Sequence, residues 1–181
     1  MTAPTMRAVT LPDGAAAPAL GMGTWYLGED PDGHDIQLDA LRAGIDIGLT
    51  VVDTAEMYGD GAAEELVGRA IAGCRDDVFL VSKVLPRHAT RQGTVDACER
   101  SLRRLGTDRL DLYLLHWRGR VPVEETVAAF ESLASRGLIR SWGVSNFEVP
   151  DLDRLVGLPG GNGVQTTRCS TTSPGAAPST T

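Results

Sequence analysis

Asp53, Tyr58, Lys83 and His116 are the residues of this chain whose types and spacing could do chemistry together. Each stands at or shortly after the end of a compact apolar run: VVD ends in Asp53, with Tyr58 five residues on, FLVSK ends in Lys83, and LDLYLLH ends in His116. A carboxylate, a phenol, an ammonium and an imidazole form a set suited to proton transfer. Each also has a plain reading: Asp53 as a helix cap, Lys83 as a surface charge, His116 as a satisfied buried histidine, Tyr58 as a loop aromatic. Runs as apolar as LDLYLL and FLVS ending in His and Lys are harder to explain plainly. A lysine closing a buried strand should have a partner, and Asp53, at the end of the preceding strand, is the nearest candidate. A metal-dependent site would need several His, Asp or Glu ligands at strand ends, and only Asp53 and His116 stand there, with Lys83 between them.

Such residues must be positioned by a fold, and length and composition bound it. The chain has 181 residues, 42% hydrophobic and 23% charged, which suits one globular domain. A net charge of −7 argues against nucleic-acid binding through a basic face. Cys74, Cys98 and Cys169 are far apart and form no C-x-x-C pair, which fits a reducing cytoplasm better than a disulfide framework or a zinc site. No apolar segment approaches membrane-spanning length, and the first residues lack the pattern of a secretion signal.

From Ala19 onward, β-rich runs alternate with helical ones. Strands are expected at 19–25, 50–55, 78–84, 110–117 and 139–147. Helices follow each, the first with Ile36, Ala40, Ala43, Ile45 and Ile47 apolar, the last short and spanning 150–157. A further strand is expected to begin at Gly163. Glycines 48, 73, 106 and 137 close the helices, and Met6 to Leu20 reads as a hairpin turning at Asp13-Gly14. Five βα units and the start of a sixth strand leave an open doubly wound sheet or a partial (β/α)8 barrel. Gly21-Met22-Gly23-Thr24-Trp25 lacks the third glycine of the dinucleotide fingerprint, whereas polar residues at 53, 83, 116, 145 and 146 fall where a barrel keeps its active site. The expectation is the α/β barrel, incomplete, preceded by a β-hairpin.

The segments VVDTAEMYGDGAAEELVGRAI, FLVSK, LDLYLLHW and IRSWGVSNF, in this order and spacing, resemble the successive signatures of the aldo/keto reductases over residues 7–166. The resemblance implies a TIM barrel that binds NADPH without a Rossmann motif, uses no metal, and reduces aldehydes or ketones to alcohols. It implies a catalytic tetrad of Asp53, Tyr58, Lys83 and His116. Tyr58 is the implied proton donor, with Lys83 favouring its phenolate, Asp53 holding Lys83, and His116 polarising the carbonyl. It further implies cofactor contacts at Gly23, Thr24, Asp53, Ser145 and Asn146, and a substrate mouth of Trp25, Tyr58, His116 and Trp117. Ordinary barrel packing remains open for the two tryptophans, and a turn or helix cap for Ser145-Asn146. The implied partner is a small carbonyl compound, and the full-length form is expected to be a monomer.

The pattern departs from the family where strand six would carry Asn-Gln, a glutamine that binds the nicotinamide carboxamide. Thr167-Arg168 stands there, and Gln165 is three residues early. The segment from 167 to 181 is rich in Ser, Thr, Pro, Gly and Ala and reads as a disordered tail. Synonymous codons for it, read one frame over, give QVLYNLTRRGAEYD, which is similar to the family's continuation. The expectation is a one-base frameshift near residue 166 and a fragment without activity. A non-catalytic role, regulatory or cofactor-sensing, is the alternative, and retention of all four tetrad residues weighs against it.

Overall fold

The computed structural model describes residues 7–168. A short antiparallel hairpin, β1 (Ala8–Thr10) and β2 (Ala16–Pro18), precedes a six-stranded parallel sheet. The sheet strands are β3 (Gly21–Gly23), β4 (Val51–Asp53), β5 (Phe79–Val84), β6 (Leu110–Leu115), β7 (Ile139–Ser145) and β8 (Thr167–Arg168). Helices α1 (His34–Asp46), α2 (Ala62–Ile71), α3 (Arg91–Leu105), α4 (Val123–Ser135) and α5 (Val149–Val156) lie between successive strands. Every strand pairs with the next in sequence and the order never reverses. That decides between the two expected architectures. A doubly wound sheet reverses at a switch point, whereas right-handed crossovers that always advance put every helix on one face and curl the sheet as in a barrel.

The two-residue period of the strands sorts their side chains between those faces. Val52, Leu80, Val84, Tyr113, Leu115, Trp142 and Val144 join the large core with Leu38, Leu66, Leu102, Phe130 and Leu133 from the helices. The alternate set, Val81, Leu112 and Leu114 with Val51 and Phe79, packs in a separate cluster on the concave face. Asp53, Lys83 and His116 continue these inward rows at their carboxyl ends, which places them on one rim.

The hairpin turns as expected around Asp13-Gly14, and its turn is tied to the opposite rim. Ser141 Oγ donates to Asp13 Oδ2 at 2.8 Å, and Asp13 N–H donates to Gln165 Oε1 at 2.7 Å. Gln165 therefore lies at the amino end of the strands, away from the four titratable residues. Glycines 48, 73, 106 and 137 all take positive φ after their helices, as expected.

Two expectations need correction, and the buried face of α1 can be added. The first strand is only Gly21–Gly23, because the chain turns at Tyr26, which has φ +69°. The regular ladder of the last strand starts at Thr167 rather than Gly163, since Gly161–Gly163 form a 3-10 turn; pairing begins at Gln165, whose N–H donates to the Trp142 carbonyl at 2.9 Å. In α1 the buried residues are Leu38, Leu41 and Gly44, while Ile36 and Ile47 are exposed. That helix carries two apolar stripes, and residues 36, 40, 43 and 47 form the outer one. β8 takes the first two residues of the expected tail into the sheet, and 169–181, Cys169 included, lie outside the described residues.

Candidate active site

Lys83 is the hub of the rim. Its side chain has no solvent exposure, and its Nζ donates to Asp53 Oδ1 at 2.6 Å, to the Thr54 carbonyl at 2.7 Å and to Tyr58 Oη at 3.3 Å. The ammonium also stands 4.9 Å from the centroid of the Tyr58 ring. Neither the plain reading of Lys83 as a surface charge nor that of Asp53 as a helix cap survives this geometry. The His116 ring meets Tyr58 edge-on with centroids 5.7 Å apart, so the four sequence-selected side chains converge.

Tyr58 is buried at the start of a tight turn, where Gly59, Asp60 and Gly61 take φ of +56°, +53° and +99° in succession. Asp60 tolerates the left-handed region better than most residues, and glycine takes it without strain. The turn delivers the chain into α2, whose buried Glu64 accepts from Ser82 Oγ and Arg104 Nε, both at 2.6 Å. Ser82 adjoins Lys83, so one network fixes both the tyrosine's turn and the lysine's strand.

Thr24 is fully buried, and both its N–H (3.0 Å) and its hydroxyl (3.1 Å) donate to the Asp53 carbonyl. At Gly23, one residue earlier, no described residue other than its chain neighbours comes within 4 Å of where a β-carbon would stand. At the end of β7, Asn146 (φ +57°) donates through Nδ2 to the His116 carbonyl at 3.0 Å and to Ser145 Oγ at 3.1 Å. Glu148, not either of these residues, precedes α5 at the cap position. Trp25 is 63% and Trp117 38% exposed, which is not core packing. Trp25 stacks towards Tyr58 at 6.3 Å, and Trp117 tilts against His116 at 4.7 Å.

Residues 19–166 match the aldo/keto reductase family model. The chain belongs to the aldo/keto reductase family. It is 59% identical over 145 residues to the methylglyoxal reductase YeaE of Escherichia coli, covering 80% of this chain and 51% of that one. It is 42% identical over 154 residues to the aldo-keto reductase YhdN of Bacillus subtilis, covering 77% and 46% respectively. Its fold superposes with a TM-score of 0.86 on the crystal structure of an aldo/keto reductase from Klebsiella pneumoniae in complex with NADP and acetate, at 54% identity over 90% of this chain and 58% of that one. The chain thus spans about half the length of the curated relatives it matches.

Two features of this reductase-family rim escaped sequence reasoning. Glu56 is buried beside the tetrad, and its Oε1 accepts from Leu85 N–H at 2.7 Å and pairs with His88 Nδ1 at 2.9 Å, tying the Tyr58 loop to the turn after β5. A carboxylate directly after the Thr54-Ala55 that leaves β4 was the available signal. Tyr26 stacks on Trp25 at 4.9 Å with the ring planes 9° apart, extending the aromatic row outward from Tyr58. Its left-handed backbone has no sequence signature, since bulky residues rarely adopt it.

Proposed function

We propose that this chain carries the catalytic half of an NADPH-dependent reductase that converts small aldehydes or ketones to alcohols. The observation that carries the reading is the buried array in which one ammonium bridges Asp53 and the Tyr58 hydroxyl. The open space beside Gly23 supports placing a flat nicotinamide ring there, with Thr24, Asp53, Ser145 and Asn146 as its proposed contacts. Bound there, the cofactor supplies the hydride.

The side chains of this chain supply the proton and the electrostatics. Hydride arrival places negative charge on the carbonyl oxygen, and a donor must stand within about 3 Å of it. The Tyr58 hydroxyl gives up that proton, and the Lys83 ammonium stabilises the phenolate left behind. Asp53 keeps the ammonium oriented, and His116 polarises the carbonyl. Trp25 and Trp117 flank the substrate. The relative named a methylglyoxal reductase supports a small dicarbonyl as the first compound to try. Cys74 and Cys98 are free thiols, which agrees with a cytoplasmic setting, and a monomer is proposed for the longer form.

For the 181 residues as an isolated polypeptide we propose weak cofactor binding and no turnover. Among the described residues β3 and β8 each have a single sheet neighbour, so the rim is walled on one side only. We further propose the one-base frameshift near residue 166 that the sequence analysis expects, and the test uses this chain and a longer one translated in the alternative frame. The longer chain is expected to oxidise NADPH when methylglyoxal is added and to lose that activity in Tyr58→Phe while still binding NADPH. Full activity in Tyr58→Phe removes the tyrosine from its role. Micromolar NADPH affinity of the 181-residue chain overturns the second proposal.

A further inference from the structure

Beyond the tetrad, the loop after β5 and the loop after β6 border an open hollow of about 390 Å³ lined by Leu85, Pro86, Arg87, Trp117, Arg120 and Val121, with Gly119 at its wall. We propose that it is an anion subsite, and that the preferred carbonyl substrates carry a carboxylate or phosphate remote from the carbonyl. The proposal rests on the reductase reading for the place of the carbonyl, and it names the substrate class of that same site.

The hollow is contiguous with the proposed chemistry through Trp117, whose ring leans on His116 at 4.7 Å and also lines the hollow. Its floor is apolar, made by Leu85, Pro86 and Val121, and can hold the body of a small molecule. Its charge is one-sided. Arg118, in the same loop, is paired with Asp151. Among the described residues neither Arg87 nor Arg120 has an ion pair; Arg87 only donates to His88 Nε2 at 3.4 Å. Of the acidic groups on the neighbouring elements, Glu56 pairs with His88 and Arg100, Glu124 with Arg154 and Asp151 with Arg118, and Glu125 accepts from the N–H of Arg91. Two guanidinium groups therefore border the hollow with no ion pair among the described residues, in a protein of net charge −7. Guanidinium is the side chain whose forked donors match carboxylate and phosphate geometry.

The loop is shaped to close on this space. A β-carbon on Gly119 would stand 2.5 Å from Pro86 Cβ. Only glycine lets the Arg118–Arg120 segment press against the turn carrying Arg87.

Calorimetric titration of the 181-residue chain at low salt tests the proposal. The probes are 4-carboxybenzaldehyde, 4-formylphenyl phosphate and the neutral methyl 4-formylbenzoate. At least one anion is expected to bind about tenfold more tightly than the ester, with the preference shrinking as salt is raised; whichever anion binds better identifies the group. Arg87→Gln with Arg120→Gln should bring anion and ester within about twofold, while Arg120→Lys, which keeps the charge, retains part of the preference. Equal binding of acid and ester, no binding of either anion, or a preference that survives the double Gln variant overturns the subsite. If the preference holds but the frame-restored chain shows no carbonyl-dependent NADPH oxidation, the reductase reading fails and the subsite stands. If oxidation proceeds equally with acid and ester, the subsite fails and the reading stands.

Discussion

Lys83 Nζ lies 2.6 Å from Asp53 Oδ1, yet the lysine side chain is fully buried while the aspartate keeps 25% of its exposure. The two ends of this pair therefore respond differently to loss of the other. Asp53→Asn leaves an ammonium buried without its counter-ion and should cost about 3 kcal/mol or more, the usual penalty for breaking a buried pair from one side. Lys83→Met fills the same space with an apolar chain, and the aspartate can turn to water, so about 1–2 kcal/mol is expected. Urea unfolding of both variants checks the order, and a larger loss for Lys83→Met would contradict it.

Tyr58→Phe should separate activity from stability. The hydroxyl's described contact with Lys83 is long at 3.3 Å, and the ring packs unchanged. The unfolding midpoint should move by no more than that expected for about 1 kcal/mol, while the proposed carbonyl reduction by the proposed longer chain disappears.

Alkaline sensitivity should come from the core. Burial pushes the Cys98 thiol up to about 12 from 9.0, and pushes the Tyr113 phenol well above its usual 10.0. A raised acid contributes stability that is intact below its unfolded value and lost as pH climbs towards the folded one. Stability should therefore fall from about pH 9 to pH 12, and Cys98 should resist thiol reagents at pH 8 until the chain unfolds. The Tyr113 hydroxyl is buried without a hydrogen-bond partner among the described residues. Tyr113→Phe should leave stability at pH 7 equal or up to about 1 kcal/mol higher, and flatten the alkaline decline. A loss of stability in Tyr113→Phe at pH 7 would show that the hydroxyl is satisfied.

Glu56→Ala removes the acceptor for Leu85 N–H and the partner of His88. A buried donor left unsatisfied costs about 1–3 kcal/mol, and the loop bearing Tyr58 loses its tether to β5. Amide exchange at Leu85 should accelerate in this variant. Unchanged exchange at that amide would remove Glu56 from its tethering role.

The barrel rim was legible because parallel strands make it so. Asp53, Lys83 and His116 all end apolar runs, and a two-residue period carries them to one face and one end regardless of loop detail. Tyr58 sits off the strands, and only the motif around it marked it. What the sequence hid depends on long-range closure or rare backbone. Glu56 meets His88 across 32 residues. Tyr26 turns by a conformation its side chain disfavours. The two apolar stripes of α1 could not be ranked from α1 alone, because which one is buried is decided by the neighbouring elements.

The ties from Asp13 to Ser141 and Gln165 span 128 and 152 residues, whereas the Asp53–Lys83 tie between adjacent strands spans 30. Nearly all other order in this sheet accumulates between neighbours, one βα unit docking on the last. The hairpin is thus a clasp: a segment that precedes the sheet in the chain waits for the sixth sheet strand before its turn is satisfied. The added loop-closure entropy is modest, about 1.3 kcal/mol for 128 residues against 30. The cost falls on timing instead, since the amino-terminal latch can engage only after the fifth unit has formed. Asp13→Ala should accordingly free the hairpin without disturbing Lys83, making the latch a reporter of how far assembly has progressed.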